Sequence, residues 1–343
     1  MLHSKIIFIK IKNLFLPLAI LIFTLFLIIF SKDNLTAAKN GLILWANSVI
    51  PSLFPFFIAT ELLSYTNIIN ILGKFLNKIM KPIFNVPGEG AFALVMGIIS
   101  GYPIGAKIVS ELKNNGICTD VECERLISFT NNSGPLFIIG TVGLSLFYSQ
   151  EIGIKLLIVH ILSCVLVGFL FRFWKFEKFP KIESYFYLNQ SANKEKTYKN
   201  KIHFNNLGDI LSISIQSAIK SILMIGGFIV LFSVIVSMLK SSNILTIIAS
   251  FFSPILNLFN IPIECINSII IGLIEVTNGL KLVAFSNNNI SIIISSFLLG
   301  FGGFSVLFQV LSITSKAKIS IKPYIIGKLL QAIFSAIIMY IIL

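Results

Sequence analysis

Long apolar stretches separated by short polar ones dominate this sequence of 343 residues. The chain opens with a basic segment at residues 1–13 and an unbroken apolar run at 14–30. Further runs near or above the roughly 20 residues that a helix needs to cross a bilayer follow at 41–65, 152–174, 210–239 and 324–343. No stretch alternates over about 10 residues as a membrane strand does, so the pattern predicts an all-α polytopic membrane protein.

Other apolar stretches are interrupted by residues that a spanning helix does not favour. Residues 90–112 contain a Gly-Tyr-Pro-Ile-Gly-Ala-Lys segment at 101–107, and Asn-Asn-Ser-Gly-Pro at 131–135 interrupts the next stretch. In the second half, a polar segment at 275–281 breaks residues 262–286. Irregular backbone at membrane depth is tolerated where it is buried in protein or lines a wet cavity. We therefore expect the rest of the protein to surround these breaks.

Charge indicates how the interrupted stretches meet the membrane, because basic residues are enriched in cytoplasmic loops. If residues 90–112 crossed fully, the basic loop at 175–206 would fall outside. A re-entrant hairpin at about 88–113 instead makes the N-terminus, this loop and the basic segment at 316–322 cytoplasmic. The prediction is a multi-pass integral membrane protein with a cytoplasmic N-terminus. Lysines share one face of residues 68–81, which indicates an amphipathic helix at the interface.

Short matches in the same order relate the two halves of the chain. Pro-Ile-Phe-Asn at 82–85 is similar to Pro-Ile-Leu-Asn at 254–257, and Gly-Ala-Lys-Ile-Val at 105–109 is similar to Gly-Leu-Lys-Leu-Val at 279–283. We predict two inverted repeats, each with a re-entrant hairpin and a broken transmembrane helix, plus one extra N-terminal helix. The predicted parts are an N-terminal transmembrane helix and short loop (1–40), repeat 1 (41–174), a basic cytoplasmic loop (175–207) and repeat 2 (208–343, hairpin about 260–286).

Interrupted segments at matching positions of two inverted halves point to a transport site. The residues expected to bind substrate are the polar ones at the breaks: Tyr102, Lys107, Asn131, Asn132, Ser133, Glu275, Asn278 and Lys281. The breaks themselves are expected at Gly101, Pro103, Gly105, Gly134, Pro135 and Gly279. Structural alternatives stay open, since Lys107 can snorkel to the cytoplasmic face and Glu275 can form a structural pair with Lys281.

Composition narrows the function classes. The chain is 56% hydrophobic and 12% charged, against about 25% charged in soluble domains. Its net charge of +13 does not indicate nucleic acid, because the basic residues lie between apolar segments. The scattered cysteines and histidines match no metal-site spacing, and no catalytic motif is present. We expect neither an enzyme nor a cofactor or metal, and leave the identity of any coupling cation open.

Four motifs resemble the sporulation integral membrane protein YlbJ family of the nucleoside-recognition (Gate) superfamily. They are the segment at 101–107, Glu-Leu at 111–112, Asn-Asn-Ser-Gly-Pro-Leu-Phe-Ile at 131–138 and Pro-Ser-Leu-Phe-Pro-Phe at 51–56. The superfamily is similar in build to concentrative nucleoside transporters, which have two inverted repeats with re-entrant hairpins.

This resemblance implies a role in moving dipicolinic acid, a small aromatic dianion, across the outer forespore membrane. The implied partners are membrane lipid, the anionic substrate, and a second copy of the chain or other sporulation membrane proteins. Two alternatives remain: a non-transporting assembly factor of the sporulation membrane, and a nucleoside or ion-coupled solute carrier.

Overall fold

The described part of the chain is built from α-helices and two π-helical segments, without strands. The computed structural model describes residues 2–66, 68–175, 206–257, 263–285 and 288–343. The all-α fold class predicted from the sequence is confirmed. Most of the basic loop expected at 175–207 lies outside the described residues, as do residues 260–262 of the second hairpin.

Two N-terminal helices are joined by a sharp bend. Helix α1 (Leu2–Ile29) meets α2 (Ser31–Leu44) at an angle of 97°. A π-helical segment (Trp45–Val49) then continues into α3 (Ile50–Ser64). Residues 31–40 are helical, so the short loop expected there is a wrong prediction. The side-chain amide of Asn34 donates to the carbonyl of Phe26 across the bend (3.0 Å). This bond ties the first turn of α2 to the end of α1.

The first half continues with a helical hairpin and a broken helix. In chain order its elements are α4 (Ile68–Phe84), α5 (Gly90–Ile99), α6 (Ile104–Asn114), α7 (Asp120–Thr130), a π-helix (Leu136–Leu146) and α8 (Gln150–Phe171). The hairpin arms α5 and α6 have 10 and 11 residues, so each is roughly 15 Å long. A hydrocarbon core is roughly 30 Å thick. The arms enter and return rather than cross, as predicted.

The second half has the same order of elements. They are α9 (Leu207–Ser241), α10 (Ile244–Asn257), α11 (Ile263–Ile274), α12 (Val276–Ala284), α13 (Asn289–Phe301), α14 (Gly303–Thr314) and α15 (Lys322–Ile342). Helices α11 and α12 form the second hairpin, and α13 and α14 form the second broken helix. Pro82 and Pro254 lie inside the corresponding helices α4 and α10. The element order thus repeats where the sequence matches do.

Four of the described helices are long and apolar enough to cross a membrane, or five if the bent pair at the N-terminus counts as one span. Leucine and isoleucine side chains remain exposed along α1, α8, α9 and α15. Such apolar exteriors are typical of helices in contact with lipid. The short hairpin arms are mostly buried inside this ring of longer helices.

One polar cluster ties the elements at the start of α7. Thr119 caps α7 in a capping box with Glu122. The guanidinium of Arg125 donates to the carbonyls of Asn85 (2.8 Å) and Trp174 (2.9 Å). These bonds join the ends of α4 and α8 to α7, and so help to position the break that follows α7.

Candidate functional site

The two hairpin turns, the first helix break and the first turn of α14 meet around one small cavity of about 50 Å³. Most of its wall is apolar and comes from α2, α3 and α9 and from the ends of both broken helices. Its polar side chains are Tyr102, Glu275, Thr277, Ser305 and Gln309.

The first hairpin turn reaches the cavity through Gly101 and Tyr102. Gly101 has φ of +80°, a conformation that glycine adopts without strain. A Cβ there would also lie 2.9 Å from the backbone nitrogen of Gly134 in the first break. Glycine is therefore required twice over, by conformation and by the close approach of turn and break. The Tyr102–Pro103 peptide bond is cis.

The arms of this hairpin pack closely on the last turn of α7. Cβ atoms at Gly97 and Gly105 would both overlap the carbonyl oxygen of Thr130. Gly105, expected at a break, lies inside helix α6. Its role is to let two backbones touch.

The first break begins at Asn131, where the backbone leaves the helix, and Pro135 precedes the π-helix. Asn131, Asn132 and Ser133 are almost completely buried, but Gly134 is the residue of this break that lines the cavity. The three polar residues bond to neighbouring elements instead. The Asn131 amide donates to the Tyr324 hydroxyl (3.2 Å), and the Ser133 backbone N–H donates to His160 Nε2 (3.2 Å).

The second hairpin turns at Glu275, which lines the cavity and caps α12. Its carboxylate accepts hydrogen bonds from the backbone N–H groups of Thr277 (3.2 Å) and Asn278 (2.8 Å). A carboxylate is stabilised at this position by the partial positive charge of a helix start. Gly279, expected at a break, lies inside α12 and faces Gly272 of the other arm.

The second broken helix is interrupted at Gly302 and Gly303, both with φ above +80°. A Cβ on Gly303 would lie 3.2 Å from the carbonyl oxygen of Gly272, so this break packs on the second hairpin as the first break packs on the first hairpin. This is the broken transmembrane helix that the sequence predicts for the second repeat. The Gly-Gly pair at 302–303 is the signal for the interruption.

The structure places the two lysines of the matched motifs away from the cavity lining. Lys107 Nζ lies 2.6 Å from Glu61 Oε2 of α3 and donates to Ser217 Oγ of α9 (2.8 Å). Lys281 is exposed on α12, and Asn278 lies part-buried at the start of the same helix. Of the eight residues expected to bind substrate, Tyr102 and Glu275 line the cavity.

A buried polar network lies behind the first break, and its residues are not among those predicted to form the site. Lys328 of α15 is only 3% exposed and donates to Gln331 Oε1 (2.8 Å). The Gln331 amide donates in turn to Asn132 Oδ1 (3.0 Å). His160 and Cys164 of α8 adjoin the same network. An ionisable residue in the middle of an apolar span was the available signal.

The described part of the chain contains no group of three or more His, Cys, Asp or Glu side chains that could hold a metal ion. Its four cysteines are free and buried. The polar groups that remain at the cavity are hydroxyls, an amide, a carboxylate and backbone N–H groups, which bind organic solutes by hydrogen bonding.

Comparison with known proteins gives the chain its family. The family model described as nucleoside recognition (Gate) matches residues 46–144, which include the first hairpin and the first break. The sporulation integral membrane protein YlbJ of Bacillus subtilis is 37% identical over 343 aligned residues, covering 96% of this chain and 82% of that protein. No solved structure matches the chain. Identity sustained over almost the whole length shows that this protein belongs to the YlbJ family of sporulation integral membrane proteins.

Proposed function

We propose that this chain carries a small anionic metabolite, dipicolinate, across the outer forespore membrane during sporulation. The observation that carries the proposal is that the cavity is lined by the starts of helices. Val276 and Thr277 begin α12, Ser305 and Val306 belong to the first turn of α14, and Gly134 precedes the π-helix. Helix starts carry partial positive charge and unpaired N–H donors, which attract carboxylates.

The C-terminal turns of the helices that precede these turns and breaks do not line the cavity. Within the part of the chain that the structure describes, no lining residue comes from the last turn of α5, α7, α11 or α13. The carbonyl oxygen of Thr130 at the end of α7 faces the glycines of the first hairpin instead. The helix starts that line the cavity therefore place partial positive charge next to it.

Glu275 is an internal example of the recognition that we propose. Its carboxylate is bound by two backbone N–H groups at the start of α12. The π-helix and α14 offer starts of the same kind across the cavity. A planar dicarboxylate presents two such groups on a small aromatic ring, which suits an otherwise apolar wall.

Reconstitution in liposomes tests this function. The purified full-length protein should accumulate radiolabelled dipicolinate, and liposomes without protein should not. Gln309→Leu should weaken uptake by roughly tenfold, because the Gln309 side chain lines the cavity and its amide NH₂ is a hydrogen-bond donor for a carboxylate. Gln216→Leu is the matched control, because Gln216 is exposed on α9. Absence of uptake by the wild-type protein would refute transport and favour the assembly-factor alternative.

A second candidate substrate is a nucleoside or another neutral solute rich in hydrogen-bond donors. It is favoured by the carboxylate of Glu275 at the cavity and by the nucleoside-recognition description of the matching family model. Competition in the same liposomes separates the candidates. Excess unlabelled nucleoside should leave dipicolinate uptake unchanged if the substrate is an anion, and should abolish it if the site prefers nucleosides.

A further inference from the structure

Lys328 is a buried cation that does not line the proposed substrate cavity. Its side chain is 3% exposed, and in the described residues no carboxylate lies within ion-pair distance of its Nζ atom. The four ion pairs found in those residues involve other lysines. A buried ammonium without a counter-charge is costly, and ionisable groups inside membrane segments are usually functional.

The surroundings of Lys328 are neutral. Its Nζ atom donates to Gln331 Oε1 (2.8 Å) and lies 6.0 Å from the centre of the Tyr324 ring. The facing titratable groups on α8 are His160 and Cys164. Helix α13, which also packs on α15, contributes serines. The buried charged residues of α7 are bonded elsewhere, Glu124 to Lys175 and Arg125 to the carbonyls of Asn85 and Trp174. Only one of the three ammonium donors has an identified partner.

One chain of hydrogen bonds and one ring contact join this cation to the first break. In the chain, Gln331 donates to Asn132 (3.0 Å), two residues before Gly134. The ring contact is with Tyr324, one turn before Lys328 on α15, and Asn131 donates to the hydroxyl of Tyr324 (3.2 Å). The residues of the first break therefore lie between the cation and the cavity.

Two buried polar atoms at the same place have no partner within the described residues. They are Oδ1 of Asn131, which is an acceptor, and Nδ1 of His160, which is the donor nitrogen because Nε2 accepts from Ser133. Buried polar atoms are normally paired, and the region around the first break therefore retains unused hydrogen-bonding capacity. The positive charge in this region comes from the ammonium of Lys328.

We propose that Lys328 sets the charge selectivity of the cavity: it is the positioning cation that makes the site prefer carboxylates to neutral solutes of the same shape. It does not touch the substrate. Its charge raises the electrostatic potential in the cavity from the far side of Asn131 and Asn132. Lys107 and Lys281 do not supply this potential, since one is paired with Glu61 and the other is exposed. The inference rests on the proposed anion transport.

The expected size follows from the distance over which a buried charge acts. Two unit charges about 10 Å apart in a medium with an effective dielectric constant of about 20 attract strongly enough to change binding by about tenfold. The carboxylate of Glu275, which lines the cavity, opposes this potential and is itself stabilised by two backbone N–H groups at the start of α12; its effect is the same with and without the lysine charge. Loss of the lysine charge should therefore lower the affinity for an anion about tenfold and leave a neutral ligand unaffected.

The experiment compares two ligands of one shape. Calorimetric titration of the purified full-length protein with dipicolinate and with pyridine-2,6-dicarboxamide gives the ratio of their affinities. Wild-type protein should prefer the dianion, and Lys328→Met and Lys328→Gln should each lower this preference about tenfold. Both variants remove the charge but differ in polarity, and replacing an unpaired buried charge is compatible with folding. Lys316→Met, at an exposed position, is the control and should keep the wild-type ratio.

The outcomes separate the inference from the function beneath it. Wild-type binding of dipicolinate with an unchanged ratio in both Lys328 variants would overturn the role of Lys328 and leave anion transport standing. Wild-type protein that binds neither ligand would overturn the proposed function and the inference with it. Loss of the preference in Lys316→Met as well would show that total charge, and not this buried cation, determines selectivity.

Discussion

The ion pair between Lys107 and Glu61 gives a prediction that also decides the role of a residue expected at the substrate site. Lys107 Nζ, Glu61 Oε2 and Ser217 Oγ form a closed triangle with sides of 2.6, 2.8 and 3.0 Å. The perturbations are Lys107→Met and Glu61→Gln, each alone and then combined. Lys107→Met alone leaves a carboxylate that is 7% exposed with a serine as its remaining partner from the triangle.

The magnitude follows from burial. Breaking a fully buried ion pair costs about 3–5 kcal/mol. Because the Lys107 side chain is 27% exposed, water partly replaces it, and we expect a loss of about 2 kcal/mol for Lys107→Met. The double variant leaves no unpaired charge and should recover about 1–2 kcal/mol of this loss.

Thermal unfolding in detergent measures the effect through tryptophan fluorescence, since Trp45 and Trp174 are both packed against buried residues. An unfolding entropy of about 2.1 cal/mol/K per residue over 343 residues converts 2 kcal/mol into a shift of about 3 °C. Destabilisation of the double variant by the full sum of the single effects would refute coupling of the two side chains. Dipicolinate binding completes the test: a double variant that is stable but does not bind would restore Lys107 as a substrate residue.

Three further predictions concern the backbone contacts and the cavity wall. Gly105→Ala should destabilise the protein by about 2 kcal/mol, because the new Cβ would overlap the carbonyl of Thr130 and overpacking costs about 1–3 kcal/mol. The control is Gly227→Ala, which has open space around it. In the same thermal unfolding experiments it should be neutral or stabilising by up to about 1 kcal/mol. Glu275→Ala should cost about 1 kcal/mol through loss of the cap on α12, and equal melting temperatures of variant and wild type would contradict this. Tyr324→Phe removes the partner of an Asn131 amide and should cost about 1 kcal/mol, measured by thermal unfolding with dipicolinate absent.

Much of the fold could be predicted because a bilayer imposes strong and simple rules on a sequence. Apolar runs of a fixed length and the placement of lysines indicate spans and re-entrant segments without knowledge of side-chain packing. The hairpin at residues 90–114 follows from such counting. The helical start of α2 does not, since residues 31–40 are polar and their helix depends on a bend that the sequence does not show.

The site was harder to predict because one residue type serves two purposes. Glycine marks a turn at Gly101, where φ is positive, but at Gly105 and Gly279 it permits contact between helices. The sequence around these positions looks alike. Lys328 was missed for the opposite reason: a lone cation in an apolar run resembles a snorkelling lysine until three-dimensional packing shows that water does not reach it.

The close contact between each hairpin and its broken helix constrains how the protein is made. In both halves the hairpin is synthesised before the helix on which its glycines pack, so the hairpin enters the membrane before that packing surface exists. The last helix, α15, then supplies Tyr324 and Gln331, which bind the asparagines of a break completed much earlier in the chain. The first break therefore acquires these partners only after α15 has been synthesised. Until then, the nascent chain lacks the side chains that pair with both asparagines.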